Sequence, residues 1–397
     1  MLEGKHILLG VTGSIAAYKS ASLASDLVKQ GAVVTVVMTK NATNFINPIT
    51  FETLTGRKCL IDTFDRNFEY SVEHVSLAKE TELVMIAPAS ANIIGKLANG
   101  IADDMLTTTV MACRCPIFVA PAMNTAMYEN AIVTDNLAKL RRFGIQVIEP
   151  ASGYLACGDT GKGKMPEPAK LASCIRHAIG HSKDLEGKKV LITSGPTREA
   201  IDPVRFITNH STGKMGFAIA NNASMRGAEV TVVSGRVSVE PPDFAEVLFV
   251  DSAAQMAAEV RERAADADII ICCAAVADMT PVAVADDKIK KSDFDGCLKL
   301  KPTEDILAWA GANRRKGQVI AGFSMETRDL AVNSRAKLES KHIDMIVGNN
   351  VKVEGAGFGT DTNVVTFITR DEAVELPIMS KDMVAEKLLD KIKEISE

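Results

Sequence analysis

Apolar residues along this chain alternate between two patterns. Short apolar runs at Lys5-His-Ile-Leu-Leu-Gly and Gly31-Ala-Val-Val-Thr-Val-Val-Met-Thr predict buried strands. Between them the turn Val11-Thr-Gly-Ser leads into a stretch, Ile15 to Gln30, with apolar residues at helical spacing. Strand, glycine turn, helix and strand make a βαβ unit. The same order returns with Lys189-Val-Leu-Ile-Thr-Ser-Gly, a helix from Met215 to Arg226, and Gly227-Ala-Glu-Val-Thr-Val-Val-Ser-Gly. The two second strands share the pattern G-A-x-V-T-V-V. Two such openings predict an α/β chain with two doubly wound, mainly parallel-sheet Rossmann-like domains, each taking its ligand at the carboxyl ends of the strands. The domains are expected at 1–180 and 188–397. The polar, glycine-bearing stretch between His177 and Lys188 supplies the linker, residues 181–187.

The halves differ after the first strand. In the first half a tight turn leads to the helix. In the second about twenty residues intervene, Pro196 to Lys214, rich in Arg, Asn, His, Ser and Thr. Insertions of that length in compact domains are usually functional. Neither second strand ends in the acid that holds a nicotinamide dinucleotide's ribose: Thr39 and Gly235 stand there instead. Thr39 suits a phosphate, so the first half favours a mononucleotide held by Gly13, Ser14 and the following helix N-terminus. His210-Ser-Thr-Gly-Lys-Met is not a P-loop, because Thr208 replaces the first glycine and Met215 the final Ser or Thr.

Composition narrows the partners. The 397 residues are 47% apolar, enough for a core in each domain, and carry a net charge of −5 without a basic stripe. That excludes nucleic acid and anionic membrane as expected partners. No run approaches the ~20 apolar residues of a membrane span, and the N-terminus enters a strand without a secretory signal, which points to the cytoplasm. The eight cysteines include no C-x-x-C pair or matching histidine cluster, so zinc is not expected and a reducing compartment fits.

Candidate chemistry lies at loops. Residues 151–167 hold Cys157 among Gly153, Gly158, Gly161 and Gly163. Glycine this dense argues against a packed helix or strand, and the segment reads as a mobile surface flap delivering a thiol to a pocket. Strand-like Glu82-Leu-Val-Met-Ile-Ala-Pro-Ala-Ser-Ala-Asn ends in small residues that admit a flat ring, with Ser90 or Asn92 able to cap the next helix. Asn124 closes another strand and can grip a carboxylate or form a turn. His74 precedes a helical stretch and is a candidate for acid–base work. In the second half, Cys272-Cys-Ala-Ala-Val-Ala-Asp ends an apolar strand with Asp278 at its carboxyl edge, Lys288-Ile-Lys-Lys is a basic cluster, and Lys337 and Lys341 share a helix face.

The motifs Gly10-Val-Thr-Gly-Ser-Ile-Ala-Ala-Tyr-Lys, Pro88-Ala-Ser-Ala-Asn, Pro121-Ala-Met-Asn-x-x-Met and Gly153-Tyr-Leu-Ala-Cys-Gly-x-x-Gly-x-Gly-Lys resemble those of the homo-oligomeric flavin-containing cysteine decarboxylases. Pro196-Thr-Arg-Glu-x-Ile-Asp-Pro-Val-Arg-Phe-Ile-Thr-Asn-His-Ser-Thr-Gly-Lys-Met-Gly resembles phosphopantothenate–cysteine ligases. In this order the motifs are similar to the bifunctional coenzyme A biosynthesis family over essentially the whole chain. The resemblance implies a flavodoxin-like N-terminal decarboxylase domain with FMN at Gly13, Ser14, Ile15, Thr39 and the turn Pro88, Ala89, Ser90, Ala91 and Asn92. It implies Cys157 as proton donor, Asn124 on the substrate carboxylate and His74 in acid–base chemistry or positioning. For the ligase it implies CTP and Mg2+ acting through an acyl-cytidylate, with Asn209 on 4'-phosphopantothenate and Lys288 stabilising the transition state. CTP contacts carried over are Cys272, Cys273, Ala274, Asp278, Lys288, Glu304, Asp305, Ile306, Leu307, Phe323, Lys337 and Lys341; metal ligands are not assigned. The remaining small molecules are L-cysteine and 4'-phosphopantothenoylcysteine. The expected assembly is homo-oligomeric, with trimers grouped into a dodecamer and ligase domains paired as dimers. Tyr128 stands where the family often has Trp, and Met279 where an aromatic residue is common. A tandem-Rossmann nicotinamide reductase and a non-catalytic flavin-binding regulatory subunit are the alternatives. Thr39 and Gly235 count against the first, and the joint presence of His74, Asn124 and Cys157 against the second.

Overall fold

A computed structural model describes residues 2–396 except 65–72, 155–157, 159, 292–295, 327–329, 351–356 and 358. It divides into two units, Met1–His181 and Ser182–Glu397.

The first unit runs β1 (His6–Val11), α1 (Ala17–Lys29), β2 (Val33–Met38), α2 (Pro48–Thr55), α3 (Glu73–Glu80), β3 (Leu83–Ala89), α4 (Ala91–Ala98), α5 (Met105–Ala112), β4 (Ile117–Pro121), α6 (Thr125–Tyr128), α7 (Ala131–Arg142) and β5 (Gln146–Val147). A hairpin of β6 (Ala151–Tyr154) and β7 (Thr160–Lys164) and then α8 (Pro168–Ile179) complete it. The sheet order is β2-β1-β3-β4-β5, parallel throughout. Strand β3 is buried along its whole length, as expected when helices cover both faces of a parallel sheet. Order reverses between β1 and β3, which places a ligand crevice beyond their carboxyl ends. Hydrogen bonds close that end: Thr12 Oγ1 donates to Pro88 O at 2.8 Å and accepts from Ser90 N at 3.0 Å, and Ser20 Oγ donates to Ala87 O at 2.6 Å.

The second unit runs β8 (Lys189–Ser194), a short hairpin of β9 (Glu199–Ala200) and β10 (Phe206–Ile207), α9 (Lys214–Met225), β11 (Glu229–Gly235), β12 (Glu246–Val250), α10 (Ala253–Ala264) and β13 (Ile269–Cys272). A second hairpin of β14 (Met279–Pro281) and β15 (Leu300–Pro302) precedes α11 (Ile306–Ala312), β16 (Val319–Glu326), α12 (Leu330–Lys341) and β17 (Met345–Asn350). The chain ends with β18 (Thr362–Asn363), β19 (Val365–Ile368), β20 (Ala373–Glu375), β21 (Met379–Ser380) and α13 (Lys381–Ser396). The main sheet orders β12-β11-β8-β13-β16-β17-β19-β20, parallel to β17 and antiparallel beyond. Separate apolar clusters fill its two faces, one built on α9 and α13 and the other on α10. Each fully buried leucine or isoleucine there, Leu388 for example, contributes roughly 1.5–3 kcal/mol. Gly216 lets α9 lie against β8: a Cβ at this position would stand 2.6 Å from the Ser194 Cβ.

One expectation is corrected. The glycine-dense segment is not devoid of strand structure, since β6 and β7 pair antiparallel on either side of residues 155–159. Lack of side chains there serves close docking, because Met123 N donates to Gly163 O at 3.1 Å and a Cβ on Gly163 would lie 2.2 Å from Met123 O. The stretch that holds the expected linker makes contacts of its own. His177 belongs to α8, Leu185 is buried, and Asp184 takes a two-pronged bond from the buried Arg226 at 2.9 and 2.6 Å.

Candidate functional sites

Each unit holds a cavity at the carboxyl end of its sheet. In the first, a cleft of about 580 Å3 lies between the turns after β1, β3 and β4 and the arms of the hairpin. Gly13, Ser14, Ile15, Ser90, Ala91 and Asn124 line it, as does Ala122. Asn124 caps α6, its Oδ1 accepting from Met127 N at 2.9 Å. Ser90 occupies the N-cap of α4 but its side chain makes no capping bond, so the capping role read for it is not used.

Other residues expected at this site fall outside the cleft lining. Pro88 and Ala89 are buried beneath it and Asn92 points to solvent. Thr39 follows β2 at the same carboxyl edge, its amide bonded to Val11 O at 3.0 Å, and does not line the cleft. His74 starts α3, half-buried and also away from the lining. Cys157 lies outside the described residues; its neighbours Tyr154 and Gly163 line the cleft.

Sequence reading missed Lys19 and Lys164, the charged residues among the described lining. Lys19 is buried and donates to Glu167 Oε1 at 2.8 Å. That bond holds the Glu167 carboxyl below its ordinary range. The signal was present in the Tyr18-Lys19 end of the first motif, but helical periodicity gave it no direction.

The second cavity, about 480 Å3, opens where the order of the main sheet reverses beside β8 and β13. It gathers Asn209, Cys273, Ala274, Asp278, Phe323 and Lys337 from those expected. Asn209 Nδ2 donates to Ala275 O at 2.5 Å and its Oδ1 accepts from Ser211 N at 3.0 Å, which fixes the amide plane. Lys337 Nζ lies 3.1 Å from Ser324 Oγ. Burial pushes the thiols of Cys272 and Cys273 up to about 12, so both stay protonated at neutral pH. Cys272 itself packs against the α10 side of the sheet and does not line the cavity.

The stretch from Glu304 to Leu307 stands outside the cavity lining. Ile306 is buried in the core and Leu307 packs beside Gly322. Glu304 pairs with Arg261. Asp305 caps α11 and pairs with Lys341 at 2.7 Å. Its carboxyl is held low against burial by the Lys341 and Ala308 bonds. Lys341 therefore shares a helix with Lys337 but turns to α11 instead of the cavity. Lys288 stands exposed on the loop after β14, outside the cavity lining.

Lys214, Lys381, Asn349 and Asn363 also line this cavity and were not read from the sequence. Lys214 Nζ bonds Asp361 Oδ1 at 2.7 Å and Gly359 O at 3.0 Å. Lys381 is buried and donates to Gly357 O at 3.2 Å and to Thr360 O. Burial, with Lys214 nearby, lowers its ammonium below the ordinary lysine range. Asn349 is buried with no hydrogen-bond partner for Oδ1 among the described residues.

A crevice at each switch point, reached by turns rich in small residues, defines a nucleotide-binding α/β protein of two units. Residues 1–180 match the family model described as Flavoprotein, and residues 185–395 the model described as DNA/pantothenate metabolism flavoprotein C-terminal domain. A relative from Bacillus subtilis (strain 168), named Coenzyme A biosynthesis bifunctional protein CoaBC, is 48% identical over 400 residues, covering 100% of this chain and 98% of the relative. One of the same name from Vibrio parahaemolyticus is 44% identical over 396 residues, covering 99% of each. A solved structure of the C-terminal domain of a protein so named is 39% identical and covers 54% of this chain and 98% of its own, with a TM-score of 0.47. The chain belongs to the family of bifunctional coenzyme A biosynthesis proteins.

Proposed function

We propose that the chain performs two consecutive steps of coenzyme A assembly. The second unit joins 4'-phosphopantothenate to L-cysteine using CTP, through an acyl-cytidylate, and the first converts 4'-phosphopantothenoylcysteine to 4'-phosphopantetheine with FMN. The observation that carries this reading is full-length kinship to proteins named for both functions. A separate cavity in each unit supports it.

Amide formation needs a carboxylate whose leaving group has been improved, and the nucleotide supplies it. Asn209, fixed at both ends of its amide, is set to orient phosphopantothenate. Lys214, Lys337 and Lys381 bring three ammonium groups to the cavity, which suits a polyphosphate and the charge that develops on its departure. Mg2+ would arrive on the nucleotide, held mainly by phosphate and water. Among the described residues no cluster of three or more His, Cys, Asp or Glu offers a site of its own.

The first cleft fits FMN. Gly13, Ser14 and Ile15 precede α1 and offer amides to a phosphate, Ala91 and Ala122 leave room for a flat ring, and Lys19 and Lys164 make the charged lining cationic. FMN held there would supply reversible hydride acceptance from the thiol-bearing carbon, so that the electrons of the breaking carbon–carbon bond would have a thiocarbonyl to enter. With Oδ1 of Asn124 engaged by Met127, its Nδ2 hydrogens are the donors this amide can give a carboxylate. Cys157 returns a proton to the product carbon, and His74 acts in acid–base chemistry or positioning. Exposed Ile15, Tyr18 and Tyr154 at the cleft support a homo-oligomer in which a second copy covers the flavin and contributes His74. Trimers grouped as a dodecamer, with paired ligase units, fit that arrangement. No described helix is long and apolar enough to cross a membrane, and we place the enzyme in the cytoplasm.

The test is a nucleotide panel with phosphopantothenate, cysteine and Mg2+, following pyrophosphate and CO2, on protein whose visible spectrum is recorded first. Flavin absorbance and a CTP requirement are expected. Asn209→Ala should abolish ligation while supplied phosphopantothenoylcysteine is still decarboxylated. Colourless protein that refuses FMN and turns over no nucleotide overturns the reading.

A further inference from the structure

The segment joining β8 to α9 contains the turn Asp202-Pro203-Val204-Arg205. Asp202 Oδ1 accepts from Val204 N at 2.9 Å and Arg205 N at 2.8 Å, closing an Asx turn around the proline. Its Oδ2 takes Arg205 Nε at 2.9 Å and Nη2 at 2.5 Å. The side chain is wholly buried, and the Arg205 guanidinium with these amides holds its carboxyl well below the ordinary range. The turn alone does not require all of this. Asp202 Oδ2 also accepts from Ile289 N at 3.2 Å, and Arg205 Nη2 donates to Ile289 O at 2.9 Å. Ala285 N adds a bond to Ile201 O at 3.0 Å. Three bonds thus fix the loop 285–289 on the turn, and two of them grip the residue next to Lys288. The same segment carries Asn209, which lines the cavity.

We propose that Asp202 is a positioning residue for ligation: with Arg205 it clamps the backbone of Ile289 and so sets the position of Lys288. The proposal rests on the reading of Lys288 as the residue that stabilises the transition state. An exposed lysine on an unclamped loop would sample many positions, and a charge misplaced by about 1 Å costs on the order of 100-fold in rate. Clamping also couples the two ends of the segment. The segment that holds Asn209 toward one reactant also fixes the lysine that meets the developing charge.

The experiment compares Asp202→Asn, Ile289→Pro and Lys288→Gln in the full chain. Ile289→Pro deletes the amide that Asp202 accepts, from the loop side, and so leaves the turn's own bonds in place. Both clamp variants should lower kcat for ligation by about tenfold or more with KM for phosphopantothenate and CTP within about twofold of the parent. Decarboxylation of supplied phosphopantothenoylcysteine should be unchanged. Limited trypsin digestion read by mass spectrometry should show faster cleavage after Lys290 and Lys291 in both clamp variants, and after Lys288 as well in Asp202→Asn (trypsin does not cut before the proline of Ile289→Pro), a readout independent of turnover. Normal kcat in both clamp variants, or a loss of kcat without faster cleavage at these lysines, overturns the proposal. Lys288→Gln separates the two failures. Full ligation in that variant removes the lysine's role, whereas loss there with normal kcat in the clamp variants removes only the clamp.

Discussion

Asn124 serves structure and site with one amide. Its oxygen caps α6 while the side chain lines the first cleft, so the two readings open from sequence are not exclusive. Gly163 has an equally local reason to be what it is. It holds φ at +136°, and an added Cβ would meet Met123 O at 2.2 Å, a backbone atom that cannot turn aside. Gly163→Ala should therefore shift the hairpin off the turn that carries Asn124, at a local cost of about 1–3 kcal/mol. Decarboxylation should fall at least tenfold, a loss of about 1.4 kcal/mol in transition-state stabilisation, while ligation stays normal; steady-state assays of the two reactions check it. Gly161→Ala should be milder, because its backbone is outside the left-handed region and its Cβ would meet the Thr125 side chain in place of a backbone oxygen.

At the scale of elements, strands and helices of the βαβ openings were legible because burial on both faces of a parallel sheet writes continuous apolar runs. The hairpin of β6 and β7 was not, because its arms are glycine and polar residues whose pairing depends on docking against Met123. Helix α13 depends on a contact equally hidden from pattern. Arg226, at the end of α9, holds Asp184 and also Asp390 of α13 at 2.7 Å. The Arg226 bond lowers the Asp184 pKa from its ordinary value. A carboxylate depressed in the folded state contributes stability that is present above its unfolded pKa, about 4, and is lost as pH falls through the folded value. Asp184→Asn should thus lower the urea midpoint of the second unit at pH 7, and the gap to the parent should narrow at pH 3. An equal gap at both pH values would contradict the assignment.

Over the whole molecule, the chain divides at His181 and Ser182, with a core on each side. Residues 1–181 expressed alone should bind flavin and decarboxylate supplied phosphopantothenoylcysteine, and residues 182–397 should carry out CTP-dependent ligation. Each is measured by its own assay, and loss of both activities on separation would show that the units depend on each other. The cavity of the second unit explains why its lining was only half legible. Asn209 and Asp278 sit in motifs, and Lys214 shares the motif of Asn209 although spacing gave its side chain no direction, whereas Asn349 and Lys381 come from stretches far along the chain.

What the sequence determined by itself was the pair of α/β units, the strand ends where ligands bind, and the family, because apolar runs and loop motifs are local and survive without coordinates. What only the tertiary structure decided was which side chains face the cavities. Lys337 turns inward while Lys341, one helical turn on, pairs with Asp305. Ile306 goes to the core although it follows Asp305 directly. Orientation of that kind is set by packing between distant elements, and residue spacing along the chain does not encode it.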